Sequence, residues 1–87
     1  MKEAYVFLAE GFEEVEALTP ADVLRRAGLP VKTVSITDEH EVTGAHGITV
    51  RADVLLRDTD FNGAAWLILP GGLPGATNLY DCEALRE

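Results

Sequence analysis

AYVFLAEGFEEVEALTPADVLRRAG, Ala4 to Gly28, is the stretch on which the fold turns. Its opening, AYVFLA from Ala4 to Ala9, is a continuous apolar run of the length of a strand covered on both faces, hence central in a parallel sheet. Glu10-Gly11 ends that run. From Glu13 to Ala27, the residues Val15, Leu18, Leu24 and Ala27 recur at helical spacing, and Gly28 supplies a C-terminal stop. A strand leading into a helix is half of a βαβ unit. Pro20 either kinks this helix, because it lacks an amide donor, or stands at the first position of a new helix capped by Thr19. The sequence leaves both open.

Outward from this stretch, Leu29-Pro30 links to a β-branched segment, Val31 to Thr37, which reads as a second strand nearer an edge. Glu41 to Arg51 places β-branched segments on both sides of Gly44-Ala45-His46-Gly47, the pattern of a small hairpin. Asp53 to Gly63 is irregular, with one helical turn. AAWLIL, Ala64 to Leu69, is a second fully apolar strand that runs into Pro70-Gly71-Gly72-Leu73-Pro74-Gly75, and Ala76 to Glu87 is helix-like. The expected arrangement is α/β with a largely parallel sheet. AYVFLA and AAWLIL should be parallel neighbours, with Gly11 and Gly72 at the same sheet edge.

Size permits one domain and excludes two independent ones, since 87 residues build only a marginal core. Apolar residues at 47% and charged residues at 25% are the balance of a globular chain rather than a disordered acidic tail. Fifteen acidic against seven basic residues give a net charge of −8, which argues against nucleic acid and anionic membrane surfaces as partners. The single cysteine, Cys82, has no partner for an intramolecular disulfide, and no Cys/His array has zinc spacing. A reducing, cytoplasmic setting is expected, since the apolar stretch that follows Met1 and Lys2 is too short and wrongly flanked to read as a signal peptide or a membrane span. No metal and no cofactor is called for.

Open α/β sheets bind ligands outside the carboxyl ends of their strands, where strand order reverses. Here that edge would bring the acidic cluster Glu10, Glu13, Glu14 and Glu16 to face the glycine turn after AAWLIL. Glu13 and Glu16, three apart, share a helix face, whereas Glu14 points to the side and reads as a solvated helix-start carboxylate. On the shared face, the helix N-terminus favours an ionised carboxyl while burial and a like-charged neighbour favour a protonated one. If the second influence prevails, Glu16 can donate a proton near neutral pH. Acids in a first turn equally serve only to complement the helix dipole, at ~0.3–1 kcal/mol each. Gly71 and Gly72 can turn the backbone tightly and aim amides at an anion or developing oxyanion, or can simply form a turn with positive φ. No Gly-Lys-Ser/Thr follows, so a mononucleotide phosphate loop is disfavoured.

LAEGFEEVEALTPADVLRRAG, Leu8 to Gly28, together with LPGGLPGATNL, Leu69 to Leu79, closely resembles the ThiJ/PfpI family. The resemblance covers nearly the whole chain and about the first half of a family member. Residues 1–87 thus read as the N-terminal part of a single ThiJ/PfpI-like domain. It implies an incomplete flavodoxin-like parallel-sheet sandwich of the class I glutamine amidotransferase-like type. Such proteins hold a cysteine nucleophile on a strand-to-helix elbow with a glutamate close to its thiol, and Glu16 matches that glutamate. By the same resemblance the amide of Gly72 helps form the oxyanion hole, Gly71 lies beside the substrate, and Glu13, Arg25 and Arg26 match positions of subunit contact in a homodimer. Some relatives carry an arginine near the pocket where this chain has His46, which enters as a candidate substrate-binding residue.

The family's cysteine elbow lies beyond Glu87, so the chain by itself is expected to lack thiol-dependent turnover. Cys82 is a poor substitute, because Asp81 and Glu83 oppose thiolate formation and no elbow surrounds it. His40 and His46 flank and occupy the hairpin turn, positions that favour solvent over catalysis. For the whole protein the resemblance implies a cysteine-dependent hydrolase or lyase-like enzyme, deglycase- or glyoxalase-like, acting on small carbonyl compounds or glycated adducts. The competing readings are a non-catalytic redox-responsive or chaperone-like dimer, and a flavodoxin-like module holding a small anion.

Overall fold

The computed structural model describes residues 3–59, 61 and 66–70. In chain order these form β1 (Ala4–Leu8), α1 (Glu14–Arg26), β2 (Val31–Ser35), β3 (Glu41–Thr43), β4 (Thr49–Arg51), β5 (Val54–Leu55), a 3-10 turn (Leu56–Asp58) and β6 (Trp66–Ile68). Four strands make one sheet in the order β5-β2-β1-β6, and every pairing in it is parallel. The two apolar runs are therefore the parallel neighbours anticipated, with Ala4 opposite Trp66 and Val6 opposite Ile68. β3 and β4 form a separate antiparallel hairpin, with Val42 opposite Val50. The glycine turn at Gly71 and Gly72, the segment after it, and Cys82 lie outside the described residues.

β1 is buried along its whole length because alternate side chains enter two different cores. Ala4, Val6 and Leu8 point to the side of α1 and the hairpin, where Phe12, Ala17, Ala21, Val31, Val42 and Ala52 join them. Tyr5, Phe7 and Ala9 point to the other face, against Val34 and the partly buried Ile36, Val54, Leu56 and Phe61. Phe61 stacks edge-on to Tyr5 at 4.7 Å between ring centroids and lies 5.3 Å from Phe7. Each fully buried side chain of this kind contributes about 1.5–3 kcal/mol through burial.

α1 is one continuous helix through Pro20, so Thr19 does not cap a second one. Glu13 is its N-cap, its Oε1 accepting from the Val15 amide at 2.8 Å. At the other end Gly28 has φ 84°, the Gly28 amide donates to Arg25 O, and the Leu29 amide donates to Leu24 O. These two bonds make a Schellman motif, which needs a left-handed residue where glycine stands.

Two sequence expectations are corrected here. The buried stripe of α1 is Glu14, Ala17 and Ala21, while Val15, expected on the core side, is 69% exposed. Small alanines face the sheet, and the carboxylate of Glu14 can be buried because the hairpin supplies its donors. β2 is an inner strand, because the two-residue β5, within a segment expected to be irregular, pairs outside it.

Candidate functional site

β2 and β6 lie on opposite sides of β1, so strand order reverses between β1 and β6. At the carboxyl end of β1 the chain turns through Glu10 and Gly11 into α1. The four glutamates here do not act as one cluster. Glu10 Oε2 accepts from the Thr43 amide at 3.1 Å, and Glu13 caps α1.

Glu14 is the acid that the sequence reading misplaced. It is 4% exposed, and its Oε2 accepts from the amides of His46 at 2.8 Å and Ile48 at 3.3 Å. His46 Nδ1–H donates to its Oε1 at 2.8 Å. Burial alone would raise the Glu14 pKa, but the hydrogen bonds from the His46 ring and from backbone amides prevail and hold it at about 2. The His46 pKa is raised, chiefly by its hydrogen bond to Glu14 and by the charges of Glu14 and Glu13. Glu13 Oε2 is 3.7 Å from His46 Nδ1. Glu13, Glu14 and His46 place their polar atoms within 4.8 Å of one another; the Glu14 carboxylate and the His46 ring are bonded directly, and with the ring protonated the three groups together carry one net negative charge. The sequence held one usable signal: a hairpin turn of Gly44-Ala45-His46-Gly47 is rich in backbone amides that a nearby acid can accept from.

Glu16 follows Glu14 by two residues and so lies about 200° around the helix. It is exposed, on the flank of α1 away from the hairpin. His46, on the hairpin, is thus on the Glu14 side rather than the Glu16 side. Arg25 and Arg26 are engaged within the chain. Arg25 Nη2 donates to Asp53 Oδ2 at 2.8 Å and to Val31 O at 3.0 Å, and Arg26 Nε donates to Asp22 Oδ1 at 3.0 Å. Beside Glu14, the residues Val15, Leu18, Thr19, Asp22 and Ile48 line an open groove between α1 and the hairpin.

The DJ-1/PfpI family description matches residues 2–87, nearly the full chain. The chain belongs to the DJ-1/PfpI family. The Parkinson disease protein 7 homolog of Danio rerio is 38% identical to this DJ-1/PfpI chain over 87 residues, which is 99% of this chain and 46% of that protein. Protein DJ-1 homolog B of Arabidopsis thaliana is 38% identical over 86 residues, 99% of this chain and 20% of that protein. Among solved structures, oxidized Toxoplasma gondii DJ-1 superposes with a TM-score of 0.92 at 35% identity, covering 98% of this chain and 46% of that one. Drosophila melanogaster DJ-1beta gives 0.90 at 32% identity, covering 97% and 45%. The chain spans less than half the length of these relatives. The DJ-1/PfpI chain is α/β and flavodoxin-like, and among its described residues no helix is long and apolar enough to cross a membrane.

Proposed function

We propose that this chain supplies the front part of a single-domain, cysteine-dependent hydrolase or lyase-like enzyme of the DJ-1/PfpI family, acting on small carbonyl compounds or glycated adducts in the cytoplasm. In this reading Glu16 is the acid beside a thiol carried by the rest of the domain, Gly72 donates its amide to the oxyanion, and Gly71 lines the substrate. The observation that carries it is the reversal of strand order at β1 and β6. A ligand crevice belongs at that reversal, outside the carboxyl ends of the strands. α1 begins just after β1 and bears Glu16 on the flank not used by the hairpin.

A homodimer through α1 belongs to the same proposal. It is supported by the exposed Val15 beside the groove of Leu18 and Ile48, an apolar patch at the start of a helix. Glu13 would lie beside that patch, and Arg25 and Arg26, in the last turn of α1, would belong to the contact only if it runs the length of the helix.

Steady-state kinetics of the complete protein with glyoxal-type substrates tests the reading. Glu16→Gln is expected to lower turnover by ~10²–10⁴-fold, the usual effect of removing a positioned acid or base. Turnover that survives Glu16→Gln unchanged, in a variant that melts like the parent, refutes the role given to Glu16.

A further inference from the structure

The β3–β4 hairpin is a sheet of its own, and polar contacts attach it to the rest of the molecule at two levels. Nearer the strands, the Gly11 amide donates to Thr43 O at 2.8 Å and the Thr43 amide donates to Glu10. At the tip, the Ala45 amide donates to Phe12 O at 2.8 Å, and the His46 amide, the His46 ring and the Ile48 amide all donate to the Glu14 carboxylate. The two partners at the tip differ in access. The Glu14 side chain is 5% exposed and the His46 side chain 68%, so the imidazole exchanges protons with water while the carboxylate stays enclosed.

We propose that Glu14 and His46 form a proton-linked latch, in which protonated His46 closes the hairpin tip on the first turn of α1 and neutral His46 loosens it. This goes beyond the catalytic reading and does not depend on it. The groups facing the imidazole are Glu14 at 2.8 Å and Glu13 at 3.7 Å, both from the start of α1. Among the described residues no ion pair joins His46 to a group of the hairpin itself. A protonated ring leaves these three groups at one net negative charge, and a neutral ring leaves two. The neutral ring still donates from Nδ1, but the enclosed carboxylate then faces Glu13 without a compensating cation, and backbone amides alone hold the tip. Ile48 is a wall of the groove that Val15 and Leu18 also line, so release of the tip removes one side of that groove.

Amide hydrogen exchange in the complete protein, followed residue by residue from about pH 5 to about pH 8 and corrected for intrinsic exchange, tests the latch. Protection at His46 and Ile48 should fall several-fold as the imidazole loses its proton, while β1 amides stay protected. His46→Arg, which keeps a permanent charge, should make the tip's protection independent of pH. Glu13→Gln should move the transition to lower pH and leave the enclosed carboxylate in place, which keeps the test informative if Glu14 variants fail to fold. Unchanged protection across the range, or the same pH dependence in His46→Arg, overturns the proposal.

Discussion

Gly44 packs directly on the Glu14 carboxyl group, so closely that a Cβ at position 44 would overlap Glu14 Cδ and Oε2. The glycine is needed for space rather than for its backbone angles, since among the described residues the glycines with positive φ are Gly11, Gly28 and Gly47. A sequence position that looks like an ordinary turn residue is thus one wall of the only enclosure that Glu14 has among the described residues.

Gly44→Ala should therefore expel the carboxylate from the hairpin. The expected cost is about 1–3 kcal/mol, the range for forcing atoms into a packed site. The His46 pKa should return toward its ordinary 6.5, because its main partner has moved. Denaturant melts and an NMR titration of the imidazole measure both effects. Combined with Glu14→Ala, the same substitution should cost less than it does alone, since the space is then vacant.

Gly28→Ala probes the opposite situation. Nothing lies within 4 Å of a Cβ at that position, but φ is +84°. The loss should be about 1–2 kcal/mol of backbone strain, with no new contact and no change in the titration of His46. A neutral effect in thermal melts would show that the end of α1 reorganises without its Schellman motif.

Stability should vary with pH on both sides of a plateau. The folded-state pKa of Glu14 is depressed from 4.5 to about 2, so its contribution is present above pH 4.5 and disappears as pH falls from there toward 2. Glu41, lowered chiefly by its hydrogen bond from Arg51, acts in the same direction. His46 is raised above 6.5, so its contribution is complete below 6.5 and disappears as pH rises through the folded value. Denaturant midpoints should thus be highest between pH 4.5 and 6.5 as far as these groups decide it. His46→Gln should remove the alkaline decline and, by taking away the imidazole that helps hold the Glu14 pKa down, also make the acid decline shallower.

Asp53 and Arg25 should differ in importance although they are paired. Asp53 Oδ2 accepts from the Thr33 amide at 2.9 Å and from Thr33 Oγ1 at 3.1 Å, as well as from Arg25. Asp53→Ala strands the amide of a buried strand residue and should cost roughly 1–3 kcal/mol. Arg25→Ala removes an exposed ion pair and a bond to Val31 O, and should cost no more than about 1 kcal/mol in the monomer. A much larger loss for Arg25 that depends on protein concentration would instead speak for the subunit contact assigned to it.

Much of the fold was legible because its signals are local. The apolar run of β1, the stop at Gly28 and the hairpin around Gly44 to Gly47 each lie within a few residues of the structure they produce. The site was less legible. Helical spacing separated Glu14 from Glu16 correctly, yet pairing Glu13 with Glu16 as the shared face left Glu14 the solvated side, because spacing along α1 does not tell which flank the hairpin covers. β5 escaped notice for a related reason: two residues carry no period.

By itself the sequence determined the parallel α/β architecture, the adjacency of its two apolar strands and the family, since a strand covered on both faces, as β1 is, must be continuously apolar and the motifs of α1 are contiguous. The burial expected of the second apolar strand is not found, Trp66, Leu67 and Leu69 being more than half exposed among the described residues. Only the tertiary structure decided which glutamate is enclosed. The donors that make that burial tolerable come from His46 and Ile48, 32 and 34 residues further along the chain. A carboxylate leaves water only where such donors meet it, and no local pattern at Glu14 records where they come from.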